Sequence, residues 1–280
     1  MELRIDHITV CGSDLDSMRS AFADVGLRTT YGGPHANGVT HMDLLAFEDG
    51  SYLELIAPMR SLGGAGGMMA GWTKLMEGDA GAGAWAVRCS DINAEANRLR
   101  VSGVEVRGPE TGSRKRPDET LLEWQTAILG SGPAGGVLPF LIEDKTPRNL
   151  RVPNADFANG LRGVAAVLIG VHDLEASTDS FQRAFEWDSP NIERNSDFGA
   201  TLAHFPGTPV VLAAPPQTDS WLGQRLERFE ECPAAFLLAS SLHSEPSQQF
   251  PLADDTCWFG RKIRWFDEKR LRGVRLGLMD

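Results

Sequence analysis

The sequence predicts an α+β protein built from tandem βαβββ units. Three observations carry that prediction. An apolar strand followed by a capped amphipathic helix recurs along the chain, each clear recurrence closes on further strands, and matching motifs mark the copies. Asp173-Leu174-Glu175 repeats the pattern of Asp14-Leu15-Asp16, and Pro209 to Pro215 repeats that of Tyr52 to Pro58.

The first unit opens with the apolar stretch Ile5-Asp6-His7-Ile8-Thr9-Val10, a strand. Ser13-Asp14 supplies an N-cap, and Leu15, Met18, Phe22 and Val25 follow at helical spacing. Gly26 ends the helix, and Leu27 to Thr30 forms a short strand before a Gly/Pro/Asn-rich loop, Gly32 to Gly38 with Asn37. Two further strands, His41 to Phe47 and Ser51 to Ile56, are joined by Glu48-Asp49-Gly50, a hairpin signature. A second unit runs from Ala84: strand Trp85 to Arg88, cap Ser90-Asp91, helix Ile92 to Ser102, then strands Val104 to Arg107, Leu121 to Leu129 and Val137 to Glu143. A third begins at Gly163 with strand Val164 to Gly170. The fourth is degenerate; it starts near Ala235, its helix is interrupted by Pro246, and it ends in strands around Trp258, Ile263 to Phe266 and Val274 to Leu278. Trp72 to Met76 and Trp221 to Phe229 read as crossover helices. The polar stretch Arg148 to Gly160 divides a first domain, residues 1–147 (units 1–58 and 83–146), from a second, diverged one, residues 161–280.

A chain of 280 residues with 42% hydrophobic content can bury a substantial core. No apolar run approaches the roughly 20 residues needed to cross a bilayer, and the N-terminus lacks a signal-peptide pattern, so a cytoplasmic location without membrane association is expected. A net charge of -11 argues against a nucleic-acid surface, which needs a concentrated positive field. Cys11, Cys89, Cys232 and Cys257 form no C-x-x-C pair and read as reduced thiols. The expected partner is a small molecule; the assembly state is open, a homodimer among the options.

Ile-Asp-His at 5–7, Asp-Leu-Asp at 14–16, Gly-Val-Thr-His at 38–41, Asp-Gly-Ser-Tyr-Leu-Glu-Leu-Ile-Ala-Pro at 49–58 and Leu-Pro-Phe-Leu-Ile-Glu at 138–143, in that order and spacing, resemble the glyoxalase-like branch of the vicinal-oxygen-chelate superfamily. The resemblance implies that βαβββ units pair into curved mixed sheets cupping a divalent metal, with ligands from first and last strands. The metal would bind vicinal oxygens of a substrate and stabilise an oxyanion or enediolate, or activate dioxygen. A ferredoxin-like βαββαβ order fits less well, because Pro58 follows the hairpin directly.

If Glu48-Asp49 forms the turn, Phe47 faces Gly50, Asp43 faces Glu54 and His41 faces Ile56, so His41, Asp43, Tyr52, Glu54 and Ile56 share one face. With the first strand beside the last, as in the family, His7 joins them. His7, His41 and Glu54 then form a facial set for Fe, Mn, Zn or Ni, with His35 a substitute for His41. Asp43 departs from the family pattern and is open between fourth ligand, a partner that orients a histidine, and a general base alongside Glu54; solvation at a pocket mouth is the plain alternative. Ala84 or Trp85 and Phe140 in unit two, with Ala166 and Val211 in unit three, occupy the His7 and Glu54 positions and cannot ligate, so one site is expected. His172 and His204 read as ordinary surface or core histidines.

The unit-two loop Gly112 to Asp118, with Pro117, carries Arg114, Lys115 and Arg116, suited to a carboxylate or phosphate. Trp85, Trp124 and Phe140 supply apolar walls. Together these favour a metal-dependent lyase, isomerase or hydrolase acting on a small anionic, partly apolar or aromatic oxygenated molecule. A non-haem iron dioxygenase with the same ligands, and a metal-free ligand-binding or resistance protein, are the alternatives.

Overall fold

The computed structural model describes residues 3–36, 38–60, 71–116, 118–156, 159–241 and 249–279. Asn37, Pro117 and Pro246, and with Pro246 the expected helix of the fourth unit, lie outside these residues.

The first unit is β1 (Ile5–Cys11), α1 (Leu15–Asp24), β2 (Thr30–Pro34), β3 (Thr40–Ala46) and β4 (Tyr52–Pro58). Helix α1 starts where Asp14 accepts a hydrogen bond from the Ser17 amide, and it buries Leu15, Met18, Ala21 and Phe22. The short α2 (Thr73–Glu77) leads to the second unit: β5 (Gly81–Arg88), α3 (Ile92–Val101), β6 (Val106–Lys115), β7 (Leu121–Leu129) and β8 (Phe140–Asp144). After α4 (Arg148–Arg151), the third unit contains β9 (Leu161–Gly170), α5 (Leu174–Phe185), β10 (Asn191–Asn195), β11 (Ala200–His204) and β12 (Val210–Ala214). Helix α6 (Trp221–Phe229) crosses to β13 (Cys232–Ser240), β14 (Leu252–Trp258), β15 (Arg261–Phe266) and β16 (Leu276–Met279). The caps of α1, α3 and α5 are the repeated aspartates Asp14, Asp91 and Asp173, each accepting from the amide three residues on.

Units pair two by two into eight-stranded sheets, ordered β2-β3-β4-β1-β5-β8-β7-β6 and β10-β11-β12-β9-β13-β16-β15-β14. Within each unit the first strand runs parallel to the last, as β1 does beside β4, and the two units join antiparallel through β1–β5 and β9–β13. This mixed topology excludes the ferredoxin-like order. Strand alternation gives each sheet two faces. Ile8, Val10, Leu53, Leu55, Trp85 and Val87 point to the helix-bearing side, where one apolar core takes in both sheets, with Trp85 stacked on Phe181 of α5 at 6.5 Å. The opposite face carries Ile56, Ala84, Ala86 and Phe140 in the first sheet. Arg225 of α6 ties the halves together, donating to Ala80 O and to Pro233 O.

One boundary differs in a way that matters for function. Residues 112–115, expected in a loop, extend β6, so Arg114 pairs with Leu122 of β7 as a strand residue.

Candidate functional site

His7 lies on β1, 4% exposed, and meets Glu54 of β4 on the face away from the helices. Its neighbour Asp6 should point the opposite way in a regular strand. A register shift between Ile5 and His7 against β5 marks a bulge that re-aims both side chains. Asp6 thus accepts a hydrogen bond from His7 Nδ1 at 2.7 Å. That bond leaves His7 Nε2 facing Glu54 Oε2 at 3.8 Å, and Thr9, two residues along β1, donates to the same oxygen at 3.2 Å.

The β3–β4 hairpin corrects the expected convergence of His41 and Asp43 on Glu54. Its connection holds three residues, Glu48, Asp49 and Gly50, closed by Phe47 and Ser51, with Gly50 at φ +78°. The pairing is therefore Leu44↔Glu54, Asp43↔Leu55 and His41↔Ala57, one residue from the register that a two-residue turn dictates. A one-residue slip turns every side chain to the other face. Asp43, fully buried, instead receives Arg19 Nε and Nη2 of α1 at 2.5 and 2.8 Å, and the Thr29 hydroxyl at 2.7 Å. His41 is half-buried, with its ring against Tyr31. His35, just after β2, takes the place expected for His41. Its Nδ1 lies 2.9 Å from Thr40 Oγ1, and its Nε2 lies 3.5 Å from Glu54 Oε1.

The second unit walls the site. His7 pairs with Ala86 and Thr9 with Ala84, a symmetric crossing that maps His7 onto Ala84 and Thr9 onto Ala86. Glu54 neighbours Thr9 and Phe140 neighbours Ala86, so Phe140 stands where a second carboxylate would. Its ring meets His7 edge-on at 5.4 Å, while Tyr52 stacks on the other side of the imidazole at 4.7 Å. Trp124 lines the same cavity; a Cβ at Gly112 would come within 2.5 Å of its Nε1, so the close approach of β6 requires glycine there. Trp85, expected as a wall, points into the helix-side core. Arg114 reaches the cavity from β6, while Arg116 sits outside it, donating to Leu150 O at 3.3 Å and facing Asp118 at 3.6 Å. The cavity has a volume of about 90 Å³ and includes Trp72, Met42 and Leu44 in its walls.

The same alignment in the second sheet puts Ala166, Val211, Ala235 and Gly277 at the ligand positions. Aromatic rings cluster on that side of the sheet, Phe198 against Trp221, Trp258 and Trp265 at 4.7 to 5.7 Å.

Electrostatics keep both carboxylates of the site ionised. Burial pushes the Glu54 carboxyl pKa up, but His35, His7 and the Thr9 hydroxyl outweigh it and leave it below the ordinary value. Burial likewise opposes ionisation of Asp6, yet Arg151, His7 and Arg148 hold it well below the carboxylate range. Arg151 donates to both Asp6 oxygens at 2.8 and 3.0 Å, and to Tyr52 Oη at 2.8 Å. Burial raises the Tyr52 phenol well above its usual value, so it keeps its proton.

Among the described residues, no three His, Cys, Asp or Glu side chains are already gathered as a metal cage. The donor chemistry nonetheless fits a divalent ion. Both imidazoles turn Nε2 to one buried carboxylate and have Nδ1 engaged, His7 by the Asp6 carboxylate and His35 by the Thr40 hydroxyl, which holds each ring in a ligating orientation. The 3.5 and 3.8 Å gaps stand close to the roughly 3 Å edge between neighbouring ligands of one ion.

Sequence reasoning placed Tyr52 on the site face without a role and passed over Asp6, Thr9 and Arg151. Asp6 adjoins His7 in the quoted motif, but alternation assigns it to the wrong face. Arg151 lies in the stretch read as a domain boundary, and no local signal links it to a residue 145 positions away.

A family profile described as a glyoxalase-like domain matches residues 5–185. No curated protein matches the sequence at a significant level. Among solved structures, a hypothetical protein from Staphylococcus aureus superposes with a TM-score of 0.64 at 16% identity, covering 99% of this chain and 98% of that chain. A variant of 4-hydroxymandelate synthase from Streptomyces coelicolor gives a TM-score of 0.64 at 13% identity, covering 99% and 92% respectively. Methylmalonyl-CoA epimerase from the same organism covers 41% of this chain and 94% of its own, at 17% identity and a TM-score of 0.37. At these identities the shared property is the fold.

Proposed function

The chain belongs to the glyoxalase-like domain family of the vicinal-oxygen-chelate superfamily, and from that premise we propose that it is a divalent-metal-dependent enzyme acting on a small oxygenated molecule in the cavity of the first sheet. His7, His35 and Glu54 would hold the ion. The observation that carries this reading is the convergence of two imidazole Nε2 atoms on one buried, ionised carboxylate, with the far nitrogen of each ring already engaged.

When bound, the ion polarises a substrate oxygen and stabilises negative charge developing on it. The chain supplies everything else. Asp6 accepts from His7 Nδ1 and so turns Nε2 toward the cavity. Thr9 steadies one oxygen of Glu54. Glu54 is the one carboxylate lining the cavity among the described residues, and so the group placed to accept a proton there; its lowered pKa makes it a weak base, suited to substrates already acidified. Tyr52 retains a proton and can donate a hydrogen bond. Phe140, Trp72 and Trp124 exclude water from the reacting atoms. Lyase, isomerase or hydrolase chemistry fits these parts. Asp43 does not take part, because Arg19 and Thr29 occupy it on the far face.

The test is metal analysis of protein purified without chelator. One ion per chain is expected in the wild type, with loss in His7→Ala, His35→Ala and Glu54→Ala. Retention of full stoichiometry in any two of these variants would remove the reading. A second reading has its own support: two histidines and one carboxylate leave open positions that also suit iron-dependent oxygen chemistry. Oxygen consumption coupled to turnover of the iron-loaded protein would select it.

A further inference from the structure

Arg114 is 4% exposed. A guanidinium has five N–H donors, and Arg114 uses two on main-chain carbonyls, Nη1 toward Gly32 O and Nη2 toward Arg151 O at 2.9 Å. Carbonyls satisfy hydrogen bonds but carry no counter-charge. Its neighbours in this half differ: Arg151, equally buried, is neutralised with Arg148 by Asp6 and Asp144, and Arg19 by Asp43. Among the described residues no carboxylate stands at ion-pair distance from Arg114; Tyr52 and Glu54 act on it at longer range. A buried cation without a counter-ion is unfavourable until an anion completes it.

The position of that charge is informative. Arg114 lines the small chamber that holds His7, His35 and Glu54, and it also lines an outer basin of about 440 Å³ that opens past Tyr31, Asn149 and Asn154. Arg114, with Leu44 and Arg151, therefore stands between the two.

We infer that the substrate is an oxygenated carboxylic acid whose carboxylate seats on the free N–H groups of Arg114, with its neighbouring oxygen directed at His7, His35 and Glu54 and any remainder leaving through the outer basin. A flat guanidinium pairs well with a planar carboxylate. The chamber of about 90 Å³ has room for a group of that size. This rests on the chamber being the reaction site, and Arg114 is its specificity-determining residue.

The experiment is calorimetric titration of oxalate, and separately of inorganic phosphate, into the metal-replete protein and its Arg114→Met, Arg114→Lys, Glu54→Gln and Glu54→Gln/Arg114→Met variants, with metal content and thermal melting recorded for each. Oxalate is expected to bind the wild type in preference to phosphate. Arg114→Met should weaken oxalate roughly tenfold or more at unchanged metal content, and Arg114→Lys should fall between, because it keeps charge but not the planar fork. Glu54→Gln should lose the ion yet keep a weaker oxalate affinity that disappears in the double variant. If the wild type holds no metal while oxalate binding still depends on Arg114, the metal assignment fails and this one stands. Unchanged oxalate affinity in folded Arg114→Met or Arg114→Lys, absence of oxalate binding by the wild type, or a preference for phosphate would overturn it.

Discussion

Asp6→Asn isolates the contribution of a buried charge cluster. Asp6 has no exposed surface and receives Arg151 at 2.8 and 3.0 Å, Arg148 at 2.5 Å and His7 at 2.7 Å. Asparagine keeps the size and one acceptor, removes the charge, and sets an NH₂ group against a guanidinium. Arg151, 4% exposed, is then left sharing Asp144 with Arg148. Breaking a buried pair in this way costs about 3–5 kcal/mol, against about 0–1 kcal/mol for an exposed one. The exposed pair Arg162–Glu48 at 3.0 Å provides the control as Arg162→Gln. Urea unfolding at pH 7 reads the difference, with two optical probes to verify a single transition across the shared core. Because the folded pKa of Asp6 is depressed, its stabilisation is fully present above the unfolded value of about 3.9 and is lost as pH falls toward the folded one, so the gap between wild type and variant should narrow below about pH 4. Loss of the bond that orients His7 should also weaken metal binding by roughly 10- to 100-fold. An Asp6→Asn protein no less stable than the Arg162→Gln control would refute the reasoning.

Two further perturbations follow from the placement of side chains. His41→Ala should leave metal stoichiometry unchanged and stability within about 0.5 kcal/mol of wild type, whereas Asp43→Asn should cost about 1.5–3 kcal/mol by loosening α1, again without loss of metal; metal analysis beside urea melts checks both. Trp85→Ala should destabilise by about 3–5 kcal/mol through the void left against Phe181, while oxalate affinity stays constant. A selective loss of ligand binding in Trp85→Ala would place that ring in the cavity instead.

Most of the architecture was legible because it is written in local signals. The aspartate caps, the switch from strand to helix periodicity and the Gly26 stop recur at matching offsets, and repetition multiplies weak evidence. The proximity of His7 to Glu54 was legible for the same reason, through the repeat and the family pattern. Ala84 and Ala166 could be set against His7 by their distance from the aspartate caps, and Val211 against Glu54 by matching Pro209–Pro215 to Tyr52–Pro58; strand pairing puts these residues and Phe140 at those positions. The third member of the cluster was not. Whether His41 or His35 meets Glu54 depends on whether Glu48-Asp49 or Glu48-Asp49-Gly50 forms the turn, and the chain's dihedrals at Gly50 decide that.

By itself, then, the sequence determined the unit order, the family resemblance that implies pairing of first with last strand, and the asymmetry that leaves candidate metal ligands in one unit of four. These rest on residue type and on periodicity within a few turns of chain. Only the tertiary structure decided which face each strand residue takes, because period-two alternation is defined up to a one-residue slip, and a three-residue connection or a bulge at Asp6 reverses it. It also decided the partners. Arg151 reaches Asp6, and Arg114 stands buried without a counter-ion among the described residues, through contacts between segments far apart in the chain that no local pattern encodes.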